Sequence, residues 1–264
     1  MQNNNADSNF PKLNPYGYAY RMIRDRLKWD LNSKSWDSKR KLTELKDKYS
    51  GKKAVILCNG PSLNKVNFDL FNDDIFTFGL NKINLLFEKS DFRPSAIVAV
   101  NDFVIEQNKD FYNETDIPLF LDSRTNKHIN SRRNVHFLHS TPVKIFVKNC
   151  SGSINQGGTV TFVAMQLAFH MGFSEVGLVG CDHYFKDKGF SNSVVTSTSA
   201  DANHFDPRYF AAGQQWQLPD LNQSEYSYSL AKENFEAHNR KIYNCTEGGH
   251  LEIYDRKPLE EFLK

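Results

Sequence analysis

Residues 159–182 read TVTFVAMQLAFHMGFSEVGLVGCD, and this stretch decides the fold. In Thr159–Met171 the apolar residues recur at helical spacing, and Gly172 follows as a residue that commonly ends a helix. Val176–Val179 is a short, continuously apolar run, as expected of a strand that is buried on both faces. A helix that leads directly into such a strand indicates an α/β protein.

Five more apolar runs of this kind lie closer to the N-terminus and are rich in Val, Ile and Phe. They are Ala54–Cys58, Ile75–Phe78, Ala96–Val100, Pro118–Leu121 and Val135–Leu138. Helical segments between the runs predict a doubly wound, mostly parallel, Rossmann-like sheet with helices on both faces. Towards the C-terminus the pattern predicts a helix near Tyr228–Arg240, a strand at Lys241–Asn244 and a closing helix from Pro258.

Residues 1–50 differ in composition from the rest of the chain. Residues 1–16 are polar and rich in Asn, which predicts a disordered start, and residues 18–49 have the pattern of a helical arm. From Arg21 to Lys53 there are twelve Lys or Arg against five Asp or Glu. This surplus indicates either a solvated helical face or a peripheral contact with anionic lipid head groups.

We interpret residues 51–264 as one α/β domain with a lid-like insertion at about residues 185–221, called here the lid segment. The lid segment is rich in Gly, Ser, Asn, Asp and Pro, with scattered aromatic residues. A loop of this length inside a compact domain usually has a function, often as a cover over a site.

The bulk composition is that of a globular protein, with 39% hydrophobic and 24% charged residues and a net charge of +2. So small a charge does not favour nucleic-acid binding. No stretch has the order of a signal peptide or the length of a membrane span, which predicts a cytoplasmic protein. The four cysteines show neither Cys-x-x-Cys nor zinc-ribbon spacing, which favours free structural thiols.

Polar residues follow four of the predicted strands at the point where each strand ends. Asn59-Gly60-Pro61-Ser62 follows the first run, Asn81 the second and Asn101 the third, and Asp182-His183-Tyr184 follows the run at residues 176–179. In an open parallel sheet these ends share one edge, and ligands bind in the crevice outside it. Amide groups suit a ribose and a base edge, and backbone N–H groups suit phosphate oxygens. The alternative is that these residues only cap strand ends and begin turns.

Two loops that contain glycine open onto helices at the same edge. In the first, Gly60 allows close approach of the backbone to a ligand and Ser62 can cap a helix. In the second, Gly157 and Gly158 precede a helix that starts at Thr159, so that both loops aim helix N-termini at an anion. Neither loop has the Gly-Lys-Ser/Thr of a Walker A motif or the spacing of G-x-G-x-x-G. The sequence therefore predicts a nucleotide site without P-loop chemistry.

The order of NGPSL (59–63), Asn81, Asn101, GGT (157–159) and GCDHY (180–184) resembles that of the bacterial lipooligosaccharide sialyltransferases. It is also similar to the motility-associated flagellin glycosyltransferases and to the domain family grouped with hydroxymethylpterin diphosphokinase. The resemblance covers about residues 52–252. It implies a metal-independent, cofactor-free glycosyltransferase that moves a sialic-acid-like, nonulosonic sugar from a CMP-activated donor to a glycan or protein hydroxyl.

The resemblance also assigns roles to single residues. It implies that the nucleotide is held by the motif Asn and Gly residues and the strand-end Asp, and that Tyr184 contacts the leaving phosphate: Asn59, Gly60, Asn81, Asn101, Gly157, Gly158 and Asp182. Ser62 and Thr159 join this set as helix starts. The general-base His of the sialyltransferases falls near Asn222, where this chain has none. We therefore take His204 as the first candidate for the base and His183 as the second, since imidazole titrates near neutral pH.

Three other functions are consistent with the sequence. One is pyrophosphate transfer from ATP, as in a pterin diphosphokinase, with Mg²⁺ held by Asp102 and Asp182. Another is a non-catalytic nucleotide-binding module, favoured if neither His204 nor His183 enters the crevice. The third places Asp182, His183, His204 and Asp206 around a metal, although no helical His-x-x-x-His spacing supports it.

Overall fold

A computed structural model describes residues 14–186 and 189–264 and places a seven-stranded sheet at the centre of the chain. Every neighbouring pair of strands in this sheet is parallel. Two more strands form a separate antiparallel hairpin. In chain order the strands are β1 (Lys53–Leu57), β2 (Phe76–Leu80), β3 (Ala96–Ala99), β4 (Leu119–Asp122), β5 (Val135–Leu138), β6 (Glu175–Val179), β7 (Val194–Thr196), β8 (Gln215–Gln217) and β9 (Lys241–Asn244), with β7 and β8 as the hairpin.

Seven α-helices accompany these strands in the described residues. They are α1 (Pro15–Asp30), α2 (Ser33–Leu45), α3 (Asp102–Gln107), α4 (Lys109–Glu114), α5 (Val160–His170), α6 (Leu221–Glu236) and α7 (Leu259–Phe262). None of the described helices is long and apolar enough to cross a membrane.

The sheet has the strand order β5-β4-β3-β2-β1-β6-β9. The chain runs outward from β1 to β5, then crosses back and continues from β6 on the other side of β1. This reversal is a topological switch point, where the carboxyl ends of adjacent strands diverge and leave a crevice. The predicted doubly wound α/β fold is confirmed, and the crevice lies between β1 and β6.

Both faces of the sheet are covered, which explains why its strands are continuously apolar. In β1, Ala54 and Ile56 belong to the hydrophobic cluster that includes α5 and α6. Val55 and Leu57 belong to a second cluster, on the opposite face, with α3, α7 and the aromatic residues of the lid segment. Because α5 lies within the first cluster, all ten residues from Thr161 to His170 are buried.

The predicted helical arm is two helices rather than one. The break falls at Asn32, whose side chain accepts the N–H of Lys34 and so caps the start of α2. Helix α2 packs along the edge strand β5, where Ser38 Oγ accepts the N–H of Phe137 at 3.0 Å. The arm therefore covers a sheet edge that would otherwise be open.

The predicted disordered start is wrong for residues 14–16, and residues 1–13 lie outside the described residues. Asn14 caps α1, because its Oδ1 accepts the N–H groups of Tyr16 and Gly17 at 3.1 Å. Pro15 occupies the first turn, where a missing N–H costs nothing. The Asn-rich composition predicted disorder, although one of these Asn residues is the N-cap of a helix.

The lid segment is more ordered than its composition predicted. It contains the β7–β8 hairpin and buries Phe205, Tyr209, Phe210 and Trp216 in the second hydrophobic cluster. The helix expected near Tyr228 begins seven residues earlier as α6, since Asp220 accepts the N–H of Gln223 and caps it. Packing of aromatic side chains orders this segment, and no helical or strand periodicity in the sequence is needed for it.

Candidate active site

A cavity of about 300 Å³ opens at the switch point between β1 and β6. The residues that line it come from the ends of β1, β2, β3 and β6, from the N-terminus of α5, from α6 and from the lid segment. Ten of the residues that the sequence predicted for the site line this cavity: Asn59, Gly60, Asn81, Asn101, Gly158, Thr159, Asp182, His183, Tyr184 and His204. Ser62 and Gly157 do not line it.

Two buried amide oxygens of the cavity lack hydrogen-bond partners. They are Oδ1 of Asn59 and Oδ1 of Asn81. The backbone of Asn81 is held on both sides, by its N–H to the carbonyl of Val98 and by its carbonyl from the hydroxyl of Tyr112, each at 2.9 Å. A buried acceptor without a donor costs about 1–3 kcal/mol. Both oxygens are therefore suited to a ligand that donates hydrogen bonds.

The hydroxyl of Tyr209 is a third buried group without a partner, and it lies near Asn81. Burial raises the pKa of this phenol well above its usual range, and the Asn81 amide offsets the rise only in part. The hydroxyl therefore stays protonated at neutral pH and can donate either to the neighbouring Asn81 amide or to a ligand.

Asp182 is fixed by two hydrogen bonds from Ser62. Its Oδ2 accepts the hydroxyl of Ser62 at 2.7 Å and the N–H of the same residue at 3.2 Å. A Cβ at Gly60 would run into this carboxylate and would lie 2.7 Å from the carbonyl of Gly180. Glycine is therefore required at position 60 because two strand-end loops meet there, and the approach of its backbone to a ligand stays a prediction. Ser62 does not line the cavity but fixes the Asp182 carboxylate, which does.

We expect Gly60→Ala to destabilise the protein by about 1–3 kcal/mol, because the new methyl group forces the two loops apart. Gly152→Ala is the matched control, since a Cβ there meets only the carbonyl of Asn149 at 3.7 Å. Urea unfolding of both variants measures the difference. Equal free energies of unfolding would mean that the loops are not in contact.

The second glycine loop also has a structural explanation. Gly157 has φ +57°, and a Cβ there would run into the ring of Phe162 and lie 2.6 Å from Oγ of Ser227, so its predicted contact with the nucleotide is corrected. Gly158 has φ +79° and lines the cavity, but its missing side chain faces Gln223 at 3.2 Å. Thr159 caps α5 by accepting the N–H of Thr161 at 3.3 Å. The N-terminus of α5 lines the cavity through Thr159, Val160 and Thr161, and a helix N-terminus is a suitable place for an anion.

His204 has the geometry of a general base. Its Nδ1 lies 2.7 Å from Oδ2 of Asp201, and its side chain is 12% exposed. The ring stacks on Tyr209 with centroids 4.0 Å apart and contacts the edges of Phe210 and Trp216. Because Asp201 fixes Nδ1, Nε2 is the nitrogen left to accept a proton. His204 is among the residues that line the cavity.

The carboxylate beside His204 is ionised at neutral pH. Burial works to raise the pKa of Asp201, but the hydrogen bond from His204 and its charge outweigh burial, so the pKa lies below its usual range. An ionised, buried Asp is the group that stabilises an imidazolium formed during catalysis.

His183 forms a second pair of this kind at the end of β6. Its Nε2 lies 3.0 Å from Oε1 of Glu225, and its side chain is 7% exposed. The backbone has φ +53°, a left-handed conformation that a non-glycine residue adopts at a cost. Glu225 is itself half exposed, so this pair is less enclosed than that of His204.

The remaining predicted residues lie at the rim of the site. Tyr184 is 55% exposed and lines the cavity, with its ring 5.4 Å from that of His250. Asn101 caps α3 through the N–H groups of Phe103 and Val104, so the capping alternative holds for this residue. Asn222 falls where the resemblance to sialyltransferases places the general-base His. It is exposed on α6 and does not line the cavity.

The charge of the site is low. In residues 14–186 and 189–264, neither Lys nor Arg lines the cavity, and no three His, Cys, Asp or Glu side chains are grouped to hold a metal. Asp206, part of the four-residue metal alternative, binds Arg208 and Lys89 instead. The hydrogen bond from Arg208 holds the pKa of this carboxyl well below its usual range. The four-residue arrangement is thus not formed.

Sequence reasoning missed several residues around the cavity. Asp201, the partner of His204, could have been found from the Asp-x-x-His spacing. Nothing in the sequence pointed to Glu225, the partner of His183, or to Lys82, whose Nζ donates to the carbonyl of Tyr209. Cys58 and Cys181 also line the cavity, as free, buried thiols. A contact from Cys181 and burial together raise the pKa of Cys58 well above its usual range, so this thiol is a packing group at neutral pH.

The solved structures that are similar to the chain include the following two. The MAf glycosyltransferase from Magnetospirillum magneticum AMB-1 matches with a TM-score of 0.51 and 14% identity, over 96% of this chain and 43% of that one. The chain thus spans less than half of that protein's length. The sialyltransferase CstII from Campylobacter jejuni, in complex with a substrate analogue, cytidine-5'-monophosphate, matches with a TM-score of 0.44 and 11% identity, over 80% of this chain and 86% of that one. No protein of curated function matches by sequence.

The similarity to the Magnetospirillum structure shows a shared, glycosyltransferase-like α/β fold. The family model for 6-hydroxymethylpterin diphosphokinase MptE-like proteins matches residues 29–188. The Asp201–His204 pair lies outside the matched residues, in the lid segment. Because the match covers more than half of its residues, the chain belongs to the family of 6-hydroxymethylpterin diphosphokinase MptE-like proteins.

Proposed function

We propose that this protein is a metal-independent glycosyltransferase that moves a nonulosonic or related acidic sugar from a CMP-activated donor to a hydroxyl group. The observation that carries the proposal is His204, which lines the strand-end cavity and is held at Nδ1 by the buried Asp201. The proposed partners are the CMP-sugar donor, a glycan or protein acceptor and, through the N-terminal arm, an anionic membrane surface. We propose the cytoplasm as its location.

The cavity residues suit the nucleotide part of such a donor. The unpaired oxygens of Asn59 and Asn81 can accept hydrogen bonds from ribose hydroxyls or from the amino group of cytosine. The capped N-terminus of α5 can hold the single phosphate through backbone N–H groups. One phosphate needs less positive charge than a triphosphate, which fits a lining without Lys or Arg in the described residues.

The proposed reaction needs one base and a stabilised leaving group. The acceptor oxygen attacks the anomeric carbon, and its proton passes to Nε2 of His204. The bond between the anomeric carbon and the phosphate oxygen breaks, and CMP leaves with the electron pair. Asp201 stabilises the imidazolium, and Tyr184 and the N–H groups of α5 stabilise the phosphate.

A second function is favoured by the family itself, whose description names a 6-hydroxymethylpterin diphosphokinase. Pyrophosphate transfer from ATP would use Mg²⁺, with Asp182 and Asp102 as the predicted carboxylate ligands. Asp182 already accepts two hydrogen bonds from Ser62, and Asp102 does not line the cavity. This arrangement gives the transferase more support than the kinase.

Ligand-induced thermal stabilisation distinguishes the two functions. We expect CMP to raise the melting temperature without added metal, and by more than UDP or ATP does. We also expect Asn59→Leu to weaken CMP binding about five- to tenfold, because the buried acceptor is lost. The exposed Asn130→Leu is its control.

Stabilisation by ATP that requires Mg²⁺, with none by CMP, would contradict the transferase and support the diphosphokinase. Stabilisation by CMP without transfer to any acceptor or hydrolysis of a CMP-sugar would support a non-catalytic binding module.

A further inference from the structure

Helix α1 carries a stripe of large apolar side chains that are exposed. Tyr16, Tyr20, Ile23, Leu27 and Leu31, here called the α1 stripe, are 86%, 66%, 59%, 54% and 79% exposed. They follow one another at intervals of three or four residues and therefore share one helix face. Single exposed apolar residues are ordinary, but a contiguous row of five marks a contact surface.

The opposite face of α1 holds the helix against the protein. Trp29 is buried there, with its ring 6.3 Å from that of His139. Arg26 donates to the carbonyl of Gly152 at 2.6 Å and to the hydroxyl of Ser153 at 3.1 Å. Two opposed faces are thus occupied differently: one is packed on the domain, and the α1 stripe points away from it.

Trp36 extends this surface beyond the end of α1. Its ring is 66% exposed, and its Nε1 donates to the carbonyl of Asp30 at 2.7 Å. Trp and Tyr side chains, with an apolar body and a polar tip, are typical of groups at the level of lipid head groups. Three of the six side chains of the surface are of this type.

Basic residues lie along one side of the α1 stripe. Arg24 lies beside it on the helix surface, and Lys28 and Arg21 follow on the same side, all three exposed. Residues 21–53 carry a charge of +7, so the rest of the chain carries −5 of the total of +2. Positive charge is therefore concentrated in the part of the chain that bears the exposed apolar row.

We propose that the α1 stripe binds the surface of a membrane that contains anionic lipids. A helix with an apolar face and a basic flank lies in the plane of the interface, with its apolar side chains among the acyl chains and its cations at the head groups. A second copy of this chain is a poorer occupant, because pairing two stripes would bring the basic flanks together. The surface lies outside the nucleotide cavity, so this inference does not rest on the proposed reaction.

The attachment of α1 gives the contact a consequence for the domain. The Gly152–Ser153 loop that Arg26 binds leads into the N-terminus of α5, which lines the cavity. A membrane-bound α1 would hold the cavity at a fixed distance from the lipid surface. This placement favours acceptors carried by membrane lipids, a consequence that, unlike the lipid contact itself, rests on the proposed function.

Co-sedimentation of the full chain with vesicles tests the proposal. We expect binding to vesicles of phosphatidylcholine with about one third phosphatidylserine, and little binding to phosphatidylcholine alone. Ile23→Ser/Leu27→Ser and Arg24→Gln/Lys28→Gln should each weaken binding about tenfold or more, because one removes apolar burial and the other removes charge.

The controls place the same changes elsewhere on the surface. Val143→Ser/Ile145→Ser removes exposed aliphatic residues, and Lys109→Gln/Lys144→Gln removes exposed cations, and both should bind vesicles as the wild type does. Equal binding to neutral and anionic vesicles, or unchanged binding of the Ile23/Leu27 variant, would overturn the proposal. Concentration-dependent dimers that the Ile23/Leu27 variant abolishes would overturn it in favour of a second copy.

Discussion

His204→Ala is expected to lower turnover by about a hundredfold or more while leaving the Kd for CMP nearly unchanged. A general base acts on the acceptor hydroxyl in the transition state and makes little contact with the nucleotide. Initial rates of sugar transfer and of donor hydrolysis, together with CMP titration, measure both quantities. Asp201→Asn should lose much of the same activity, because the amide cannot stabilise an imidazolium.

His183→Ala and Tyr184→Phe separate the alternatives. Tyr184→Phe should reduce both transfer and hydrolysis, because it removes a donor to the leaving phosphate. Full activity of His204→Ala with loss in His183→Ala would assign the base to the His183–Glu225 pair. Full activity of both His variants would mean that the base is a different residue and that the Asp201–His204 pair is structural.

The sheet was predictable from the sequence because its strands are buried on both faces. The predicted runs at Val135–Leu138 and Lys241–Asn244 coincide with β5 and β9, and the others agree within two residues at either end. Continuous burial leaves a local signal that needs no knowledge of the partner strands. The strand order was not predictable to the same degree, because it depends on crossovers between distant segments.

The location of the site was predictable, whereas the reasons for its residues were less so. Polar residues after parallel strands must meet at one edge, and Asn59, Asn81 and Asp182 do so. The chain gave no sign that Gly60 makes room for a carboxylate, since that contact joins residues 122 positions apart. Ser62 and Gly157 were misjudged for the same reason: a motif shows which residues are neighbours along the chain but not which loop packs behind them.

The lid segment was the largest departure from the sequence prediction. Its order comes from aromatic packing, with Phe210 stacked on Trp216 at 5.2 Å, and from single hydrogen bonds to distant strand ends. The N–H of Phe205 donates to the carbonyl of Asn59 at 2.9 Å. Such contacts have no periodicity, so composition alone predicted a loop. Its length nevertheless predicted a cover over the site, and aromatic residues of this segment line the cavity, among them Tyr209, Phe210 and Trp216.

Lys82 joins the lid segment to the sheet. It is 4% exposed, and its Nζ donates to Oε1 of Gln107 at 2.7 Å, to the carbonyl of Tyr209 at 2.6 Å and to Oε1 of Gln214 at 3.1 Å. Tyr209 in turn stacks on His204. We therefore expect this buried ammonium to position the proposed base, although it does not line the cavity.

Lys82→Met is expected to lower turnover by about tenfold to a hundredfold, because a small displacement of Tyr209 moves His204 away from the acceptor. The Kd for CMP should change less than turnover does, since Asn59 and the N-terminus of α5 do not depend on this contact, whereas Tyr209 lies beside Asn81. The exposed Lys109→Met is the matched control. Unchanged turnover of Lys82→Met would mean that aromatic packing alone positions His204.

Lys82 also predicts how the free energy of unfolding changes with pH. Burial lowers the pKa of Lys82 to about 8, against an opposing attraction from Asp201. An unfolded lysine has a pKa of about 10.4, so the unfolded state holds more protons between pH 8 and 10.4, and stability rises with pH in that window. Three oxygen acceptors favour the charged form, so we expect a rise of roughly 2 kcal/mol rather than the full value of the shift.

Buried tyrosines and cysteines oppose this rise in stability above pH 9, but they are common to the wild type and Lys82→Met. The difference between the two free energies of unfolding, from urea titrations at pH 7 and pH 10, isolates Lys82, and a difference independent of pH would contradict a lowered pKa.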